Sequence, residues 1–284
     1  MESKFIKTPL RYPGGKSKVS DYIVSLFPDY SEYREPFLGG GSVFLTALQN
    51  KPDAIYKIND LYTDLYSFWK TVCDENVGEP VKSLKLKYDL NGRDLYEYSL
   101  DRLNSNDICE TERGILFFVM NRITFSGTSL SGGYSDESFR KRFTMSSINR
   151  LEDLCEFLKT KDNIELYNED FSFLFEGVDE AETFMFLDPP YYGAESSALY
   201  GKNGDKHKGF EHERLKECLN GCSCKFLMTY DDCDYIRELY KDYEIFPFEF
   251  AYGMRNAGGG TDMKGKELII SNYNIDKGES VSLF

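Results

Sequence analysis

The chain has 284 residues, 41% of them hydrophobic and 15% aromatic, with a formal net charge of −14. That length and apolar content support a sizeable core and exclude a disordered chain. No run of 18 apolar residues occurs, so no membrane span is expected, and the opening MESKFIKTPLRYPGGK lacks the apolar centre of a secretory signal. Seven scattered cysteines read as reduced thiols of a cytoplasmic protein. Cys218, Cys222, Cys224 and Cys233 fit no paired metal-ligand spacing, and no metal is expected. The acid excess argues against a polyanionic partner. It is not uniform, however. Residues 113–150 carry Arg113, Arg122, Arg140, Lys141, Arg142 and Arg150 against only Asp136 and Glu137, and a locally basic segment on an acidic body can face a polyanion.

In chain order, 16–27 (KSKVSDYIVSLF) reads as a helix, with Val19, Tyr22, Ile23 and Leu26 at helical spacing. Strand 32–37 (EYREPF), a glycine-rich turn opening helix 39–50, strand 54–60 (AIYKIND) and helix 61–74 follow. This alternation predicts an open parallel sheet covered by helices. The pattern changes from 75 to 160. Segments 81–104 and 109–123 look helical, 124–138 (TFSGTSLSGGYSDES) reads as a loop, and 146–160 is helical with Ser147 as a candidate cap. Alternation resumes with strands at 164–171, 183–192 and 224–230 and a helix at 212–220. Segments 243–252 and 266–273 read as a closing antiparallel pair. The expected architecture is an α/β catalytic domain over 1–74 and 161–284, interrupted by a mostly helical insertion, 75–160.

Two segments carry chemistry. REPFLGGGSVF (34–44) runs from strand to helix, where an open α/β sheet binds nucleotide-like ligands. It does not meet the GxGxxG phosphate fingerprint, and GGKSK at 14–18 lacks the upstream glycine of a P-loop, so an NTPase is excluded. Asp60 ends the next strand about twenty residues on, where a carboxylate takes ribose hydroxyls. A ligand with a ribose and no required pyrophosphate fits, and S-adenosylmethionine is such a ligand. The second segment is FMFLDPPYYGAE (184–195). An apolar strand delivers Asp188 to its tip, and Pro189 and Pro190 lack N–H groups and force the chain out of the sheet. Tyr191 and Tyr192 then present flat rings. A carboxylate, stiff carbonyls and an aromatic face form a clamp for a planar amine.

PLRYPGGKSK (9–18), REPFLGGGSVF with IND (58–60), and FLDPPYY (186–192) together resemble the Dam-type, D12 class adenine-N6 DNA methyltransferases in the α-group motif order. NRITFSGT (121–128) and KGKELIISNY (264–273) also look like elements of that family. The resemblance implies a Rossmann-like S-adenosylmethionine-dependent methyltransferase sheet and an inserted target-recognition domain. It implies cofactor contacts from Tyr12, Gly14, Gly15, Lys16, Phe37, Gly39, Gly41, Asp60, Asp170 and Phe171. It implies a catalytic pocket of Asp188, Pro189, Pro190 and Tyr191. Within the basic segment, Arg122, Ser126, Arg140, Lys141 and Arg142 are candidates for contacts to double-stranded DNA. Lys202, Lys206, His207 and Lys208 follow DPPYY in a segment that could close over a nucleotide. The family's arginine and N-x-x-G-x-[FY]-N stretch is replaced here by TSLSGGYSDESFRKRFT, so no target sequence carries over.

The expected activity is transfer of a methyl group from S-adenosylmethionine to N6 of an adenine flipped out of duplex DNA. The protein would be a cytoplasmic monomer with a possible cognate restriction endonuclease. RNA adenine methylation and a catalytically silent nucleic-acid-binding protein of the same fold stand as alternatives. Methylation of a protein glutamine is disfavoured by Asp rather than Asn at 188.

Overall fold

The computed structural model describes residues 5–125, 132–194, 209–251 and 264–275. Ser126, Lys202, Lys206, His207 and Lys208 lie outside the described residues. Within the described residues, seven strands form one sheet: β1 (Glu32–Glu35), β2 (Ile55–Asn59), β3 (Ile164–Tyr167), β4 (Thr183–Leu187), β5 (Lys225–Asp231), β6 (Glu244–Ala251) and β7 (Lys264–Ser271). Their spatial order is β3-β2-β1-β4-β5-β7-β6. β1 to β5 run parallel, and β7 lies antiparallel between β5 and β6. This is the Rossmann-like α/β sheet that the sequence predicts. Strand order reverses between β1 and β4, and such a switch point opens a crevice at the carboxyl ends of the strands.

The central strand shows why its sequence does not alternate. Phe184 and Phe186 enter one buried cluster with Leu227 and Ile269. Met185 and Leu187 enter a second with Phe226, Met228 and Ile270. Both faces of β4 are covered, so Phe184 to Leu187 are all apolar.

The helices are α1 (Ser20–Ser25), α2 (Ser42–Asn50), α3 (Thr63–Asp74), α4 (Gly78–Lys87), α5 (Gly92–Leu103), α6 (Glu110–Ile123), α7 (Asp136–Arg142), α8 (Met145–Leu158), α9 (His212–Gly221) and α10 (Asp234–Leu239). α4 to α8 stand between α3 and β3. Helix α6 is buried from Leu116 to Ile123 on every face, as expected of a helix enclosed by its neighbours. Its Phe118 stacks on Phe68 of α3, with centroids 6.1 Å apart and planes 12° apart. One apolar cluster therefore runs from Phe184 of the sheet through Phe44 and Phe68 to Leu151 and Leu154 of α8.

Several boundaries differ from the sequence reading. The first helix is confined to Ser20–Ser25. Segment 81–104 divides at Tyr88–Asn91, and Gly92 starts a new helix. Residues 136–138, read as loop, are the first turn of α7, which is capped by Ser135 accepting from the Ser138 amide. Asp136 and Glu137 begin this helix and Arg140, Lys141 and Arg142 end it, the charge order that complements the helix dipole. The cap of α8 is Thr144; Ser147 is its reciprocal partner three residues later, closing a capping box. Helix α10 was not anticipated, because only six residues carry it. Among the described residues, no helix is long and apolar enough to cross a membrane.

Candidate active site

The tips of β1, β2 and β4 meet in the crevice. Buried Asn59, the last residue of β2, ties the loops beyond them. Its Nδ2 donates to the carbonyls of Pro36 and Glu169, both at 3.0 Å, and its Oδ1 accepts from the Glu169 amide at 2.9 Å. The glycine turn follows β1. Gly39 and Gly41 have φ of 50° and 65°, the left-handed region in which side chains are disfavoured. A Cβ on Gly40 would lie 2.8 Å from Cβ of Tyr12, so the turn and the N-terminal segment pack backbone against side chain. Asp60 braces the turn, with Oδ2 accepting from the Gly39 amide at 2.8 Å and Oδ1 from the Tyr62 amide at 2.9 Å.

Lys16 and Asp188, far apart in sequence, form the centre. Lys16 Nζ donates to both oxygens of Asp188 at 2.8 and 2.9 Å and to the Gly14 carbonyl at 3.0 Å. The lysine is 2% exposed, and Glu267 of β7 lies 3.8 Å from it. Asp188 also accepts from Thr229 Oγ1 at 2.7 Å and Tyr191 OH at 3.1 Å. Lys16 lies 5.1 Å from the centroid of the Tyr191 ring, which stacks on Tyr230. The next turn is held by Asp231, whose carboxylate accepts from the amides of Tyr192 at 3.0 Å and Gly193 at 2.8 Å.

On the other side of the crevice Phe37, Phe171 and Phe210 contact one another at centroid distances of 5.5 to 5.6 Å. Asp170 caps the short 3-10 turn 171–175 and is gripped by Arg214 at 2.7 and 3.1 Å. The Arg214 hydrogen bonds, opposed by desolvation and joined by those of Ser172, lower its carboxyl pKa to about 2. Any further partner of Asp170 must share it with Arg214.

Of the basic candidates, Arg140, Lys141 and Arg142 are exposed on the last turn of α7. Arg122 is 8% exposed; its Nε donates to the Arg142 carbonyl and Nη1 to the Pro9 carbonyl.

Sequence reading passed over Glu35, Thr229, Asp231, Glu267, Phe210 and Arg214. Glu35 had a signal, since an acid ends the strand just before the glycine turn. Thr229 and Glu267 had none, because they reach the site only through sheet register, in which Leu187 pairs with Met228 and Asp231 with Glu267.

A family model for the D12 class N6 adenine-specific DNA methyltransferases matches residues 12–254. The chain belongs to that family. The type II methyltransferase M1.LlaDCHI of Lactococcus lactis subsp. cremoris is 27% identical over 287 residues, covering 93% of this chain and 94% of that protein. The type II methyltransferase M.CviBI of Paramecium bursaria Chlorella virus NC1A is 25% identical, covering 94% and 100%. The DNA N-6-adenine-methyltransferase of Escherichia phage P1 is 25% identical over 93% of this chain, which spans 35% of that longer protein. The D12 chain is thus an enzyme, an adenine-specific DNA methyltransferase, as its motifs imply.

Glu35 gives this D12 enzyme a pH-dependent stability. Burial pushes its carboxyl pKa well above the ordinary carboxylate range, and the charges of Asp188 and Asp60 push the same way; the Tyr33 hydroxyl, donating at 2.5 Å, opposes them. The folded chain therefore keeps a proton that the unfolded chain releases, and stability falls as pH rises above the ordinary Glu range. Glu35→Gln should raise the ligand-free Tm at pH 8 by about 2 °C or more, a gain that vanishes below roughly pH 4. Calorimetry at both pH values checks this; a Tm lowered at pH 8 contradicts it.

Proposed function

We propose that the enzyme takes its methyl group from S-adenosylmethionine and delivers it to N6 of an adenine turned out of duplex DNA into the crevice at the β4 tip. The observation that carries this reading is the Lys16–Asp188–Thr229–Tyr191 cluster at that tip, followed by two stiff prolines and set beside an acidic, glycine-lined crevice. Asp60 and Asp188 gather there with Glu35, which keeps its proton in the ligand-free chain and would give it up on meeting an ammonium, and Lys16, the cation of the cluster, is committed to Asp188. Such a balance disfavours a pyrophosphate and suits a ligand bearing a sulfonium and an ammonium. The residues therefore fit the cofactor. Asp60 would take the ribose, Glu35 the ammonium, and Phe37, Phe171 and Asp170 the adenine. Tyr12, Gly14, Gly15, Lys16, Gly39 and Gly41 would line the methionine end.

The bound cofactor supplies an electrophilic methyl on a sulfonium. The chain's own residues prepare the acceptor. An exocyclic adenine amine is a weak nucleophile because its lone pair is delocalised into the ring. Asp188 would accept one N–H and the Pro189 carbonyl the other, favouring a pyramidal nitrogen whose lone pair is withdrawn from conjugation with the ring. The prolines hold that carbonyl in place. Asp188 also stabilises the positive charge that develops on nitrogen, and Tyr191 stacks on the base. A base inside the helix cannot reach this tip, and extruding it costs a few kcal/mol. In this reading residues 75–160 are the target-recognition domain, with Arg122, Ser126, Arg140, Lys141 and Arg142 offering DNA contacts. The type II names of the relatives support a place in restriction–modification, and with it a cognate endonuclease.

Transfer of labelled methyl from S-adenosylmethionine to duplex DNA, single-stranded DNA and RNA tests the reading. Label on N6 of adenine in duplex is expected; label in RNA alone overturns it. Glu35→Gln should weaken cofactor binding about tenfold, the loss of one charge-assisted hydrogen bond.

A further inference from the structure

None of the cysteines enters the proposed methyl transfer, yet two of them lie against each other. Cys222 follows the last turn of α9, and Cys224 stands just before β5. Both are free thiols, and their sulfurs are 3.0 Å apart. The pair sits at the amino end of β5, at the opposite end of the sheet from Asp188, which follows the carboxyl end of β4.

The backbone holds the two thiols in place. The Cys222 amide donates to the Leu219 carbonyl at 3.2 Å, closing α9. Asn272 clasps the other side: its Nδ2 donates to the Cys224 carbonyl at 2.8 Å, and its Oδ1 accepts from the Phe226 amide at 2.9 Å. Cys224 is wholly buried, Cys222 is half-buried, and Ser223 between them is exposed. Joining the sulfurs requires an approach of about 1 Å, with the helix end and the strand already fixed.

The two sulfurs are chemically unequal. Burial pushes the thiols of Cys73, Cys155, Cys218 and Cys233 upward. Cys222 moves the other way. The hydrogen bond from the Cys224 thiol, opposed by desolvation and joined by the Cys224 amide and the Arg34 charge, lowers it. The same hydrogen bond, with burial and the charge of Cys222, raises Cys224. The shared proton therefore rests on the buried sulfur, and the thiolate falls on the sulfur that a reagent can reach. A reachable thiolate beside a second thiol is the arrangement of an attacking and a resolving cysteine.

We propose that Cys222 and Cys224 are a thiol–disulfide exchange site for a small disulfide of the glutathione type. The Cys222 thiolate attacks one sulfur of that disulfide, breaks its S–S bond and expels one thiolate, leaving a mixed disulfide. Capping Cys222 removes the charge and the acceptor that held the proton on Cys224. Cys224 then gives that proton to the departed thiolate, and its sulfur attacks Cys222 Sγ and expels the second thiolate. The two cysteines are oxidised to one disulfide, and the small disulfide is reduced to two thiols. A ring closed over a single intervening residue is tight, so excess small thiol reopens it. None of this depends on the cofactor or on DNA.

The test is mass spectrometry of the full chain after exposure to glutathione disulfide, alkylation of the remaining thiols and digestion with trypsin. Lys216 and Lys225 bound a peptide that carries Cys218, Cys222 and Cys224. In the wild type this peptide should lose two hydrogens across Cys222 and Cys224, with Cys218 outside the bond, and excess reduced glutathione should restore both thiols. Cys224→Ser should stop at the mixed disulfide on Cys222. Cys222→Ser should slow thiol loss from the peptide about tenfold or more, and Cys218→Ser should leave closure unchanged. A wild type that stops at the mixed disulfide, or that closes Cys218 on Cys222, overturns the proposal. So do Cys222 and Cys224 that both remain open to alkylation after exposed Cys109 is fully modified. Closure at the same rate in the urea-unfolded chain overturns it too, since the fold would then contribute nothing. These last three readings need only the wild-type chain, so a variant that fails to fold does not spoil the test.

Discussion

Asp188→Asn should lower methyl transfer to duplex DNA by about three orders of magnitude, the scale lost when one preorganised electrostatic partner is removed from a reacting centre. The native carboxylate accepts from Lys16 on both oxygens, from Thr229 and from Tyr191. An asparagine has one acceptor oxygen, and its NH2 group would face the donors of Lys16. It can neither hold an adenine N–H in the same way nor balance charge growing on the amine. The substitution also strips a buried lysine of its nearest counter-charge, leaving Glu267 at 3.8 Å. Breaking a fully buried pair costs about 3–5 kcal/mol. Because Asp188 is 22% exposed and Glu267 is near, roughly 1–3 kcal/mol is expected here. Removing both members separates the two effects. Lys16→Met with Asp188→Asn should be more stable than the sum of the single variants predicts, since no uncompensated charge is left, yet just as inactive. Single-turnover kinetics and urea unfolding of the three variants read this out. Turnover of Asp188→Asn within tenfold of the wild type would remove Asp188 from the centre of the mechanism.

The site was legible in sequence where its chemistry is local and illegible where it depends on register. FMFL could be read as a strand covered on both faces because it is uniformly apolar, and Asp188, Pro189 and Pro190 announce their geometry through φ restriction and missing N–H groups. Lys16 and Asp188 each stood in a motif, but nothing in the spacing of 172 residues says that they touch. Thr229 was invisible for the same reason, since it reaches Asp188 only because β5 lies beside β4 with Met228 opposite Leu187. Glu35 carries a local signal, an acid ending a strand just before the glycine turn. Helix α7 was missed because the Gly and Ser residues before it resemble a continuing loop, and its stability rests on a serine cap and charge order over seven residues. Membership of the D12 class needed the motifs together, since glycine turns and DPPY segments each occur more widely.

Gly41→Ala should destabilise the protein by about 3 kcal/mol, combining a left-handed backbone penalty with overpacking of a filled site. Gly41 has φ of 65° and caps the start of α2. A Cβ there would lie within 2.6 Å of Cζ2 and Cη2 of Trp69. The indole cannot easily withdraw. It is fully buried, meets Phe44 and Phe68 edge to face at 6.1 and 5.3 Å, and donates its Nε1–H to the Gly39 carbonyl at 3.0 Å. Two other glycines separate the contributions. Gly177 has φ of 58° but open space around it, so Gly177→Ala should cost only about 1 kcal/mol, the conformational share. Gly133 has neither positive φ nor a neighbour within 4 Å, so Gly133→Ala should be near neutral, within about 0.5 kcal/mol. Urea unfolding of the three variants gives the order directly. Because the Gly39 amide binds Asp60 at 2.8 Å, a turn pushed aside by the new methyl also displaces the carboxylate assigned to the ribose. Gly41→Ala should therefore lose cofactor affinity where Gly177→Ala does not. Equal costs for Gly41→Ala and Gly177→Ala would mean that Trp69 yields freely and that the glycine turn is not held rigid by the core beneath it.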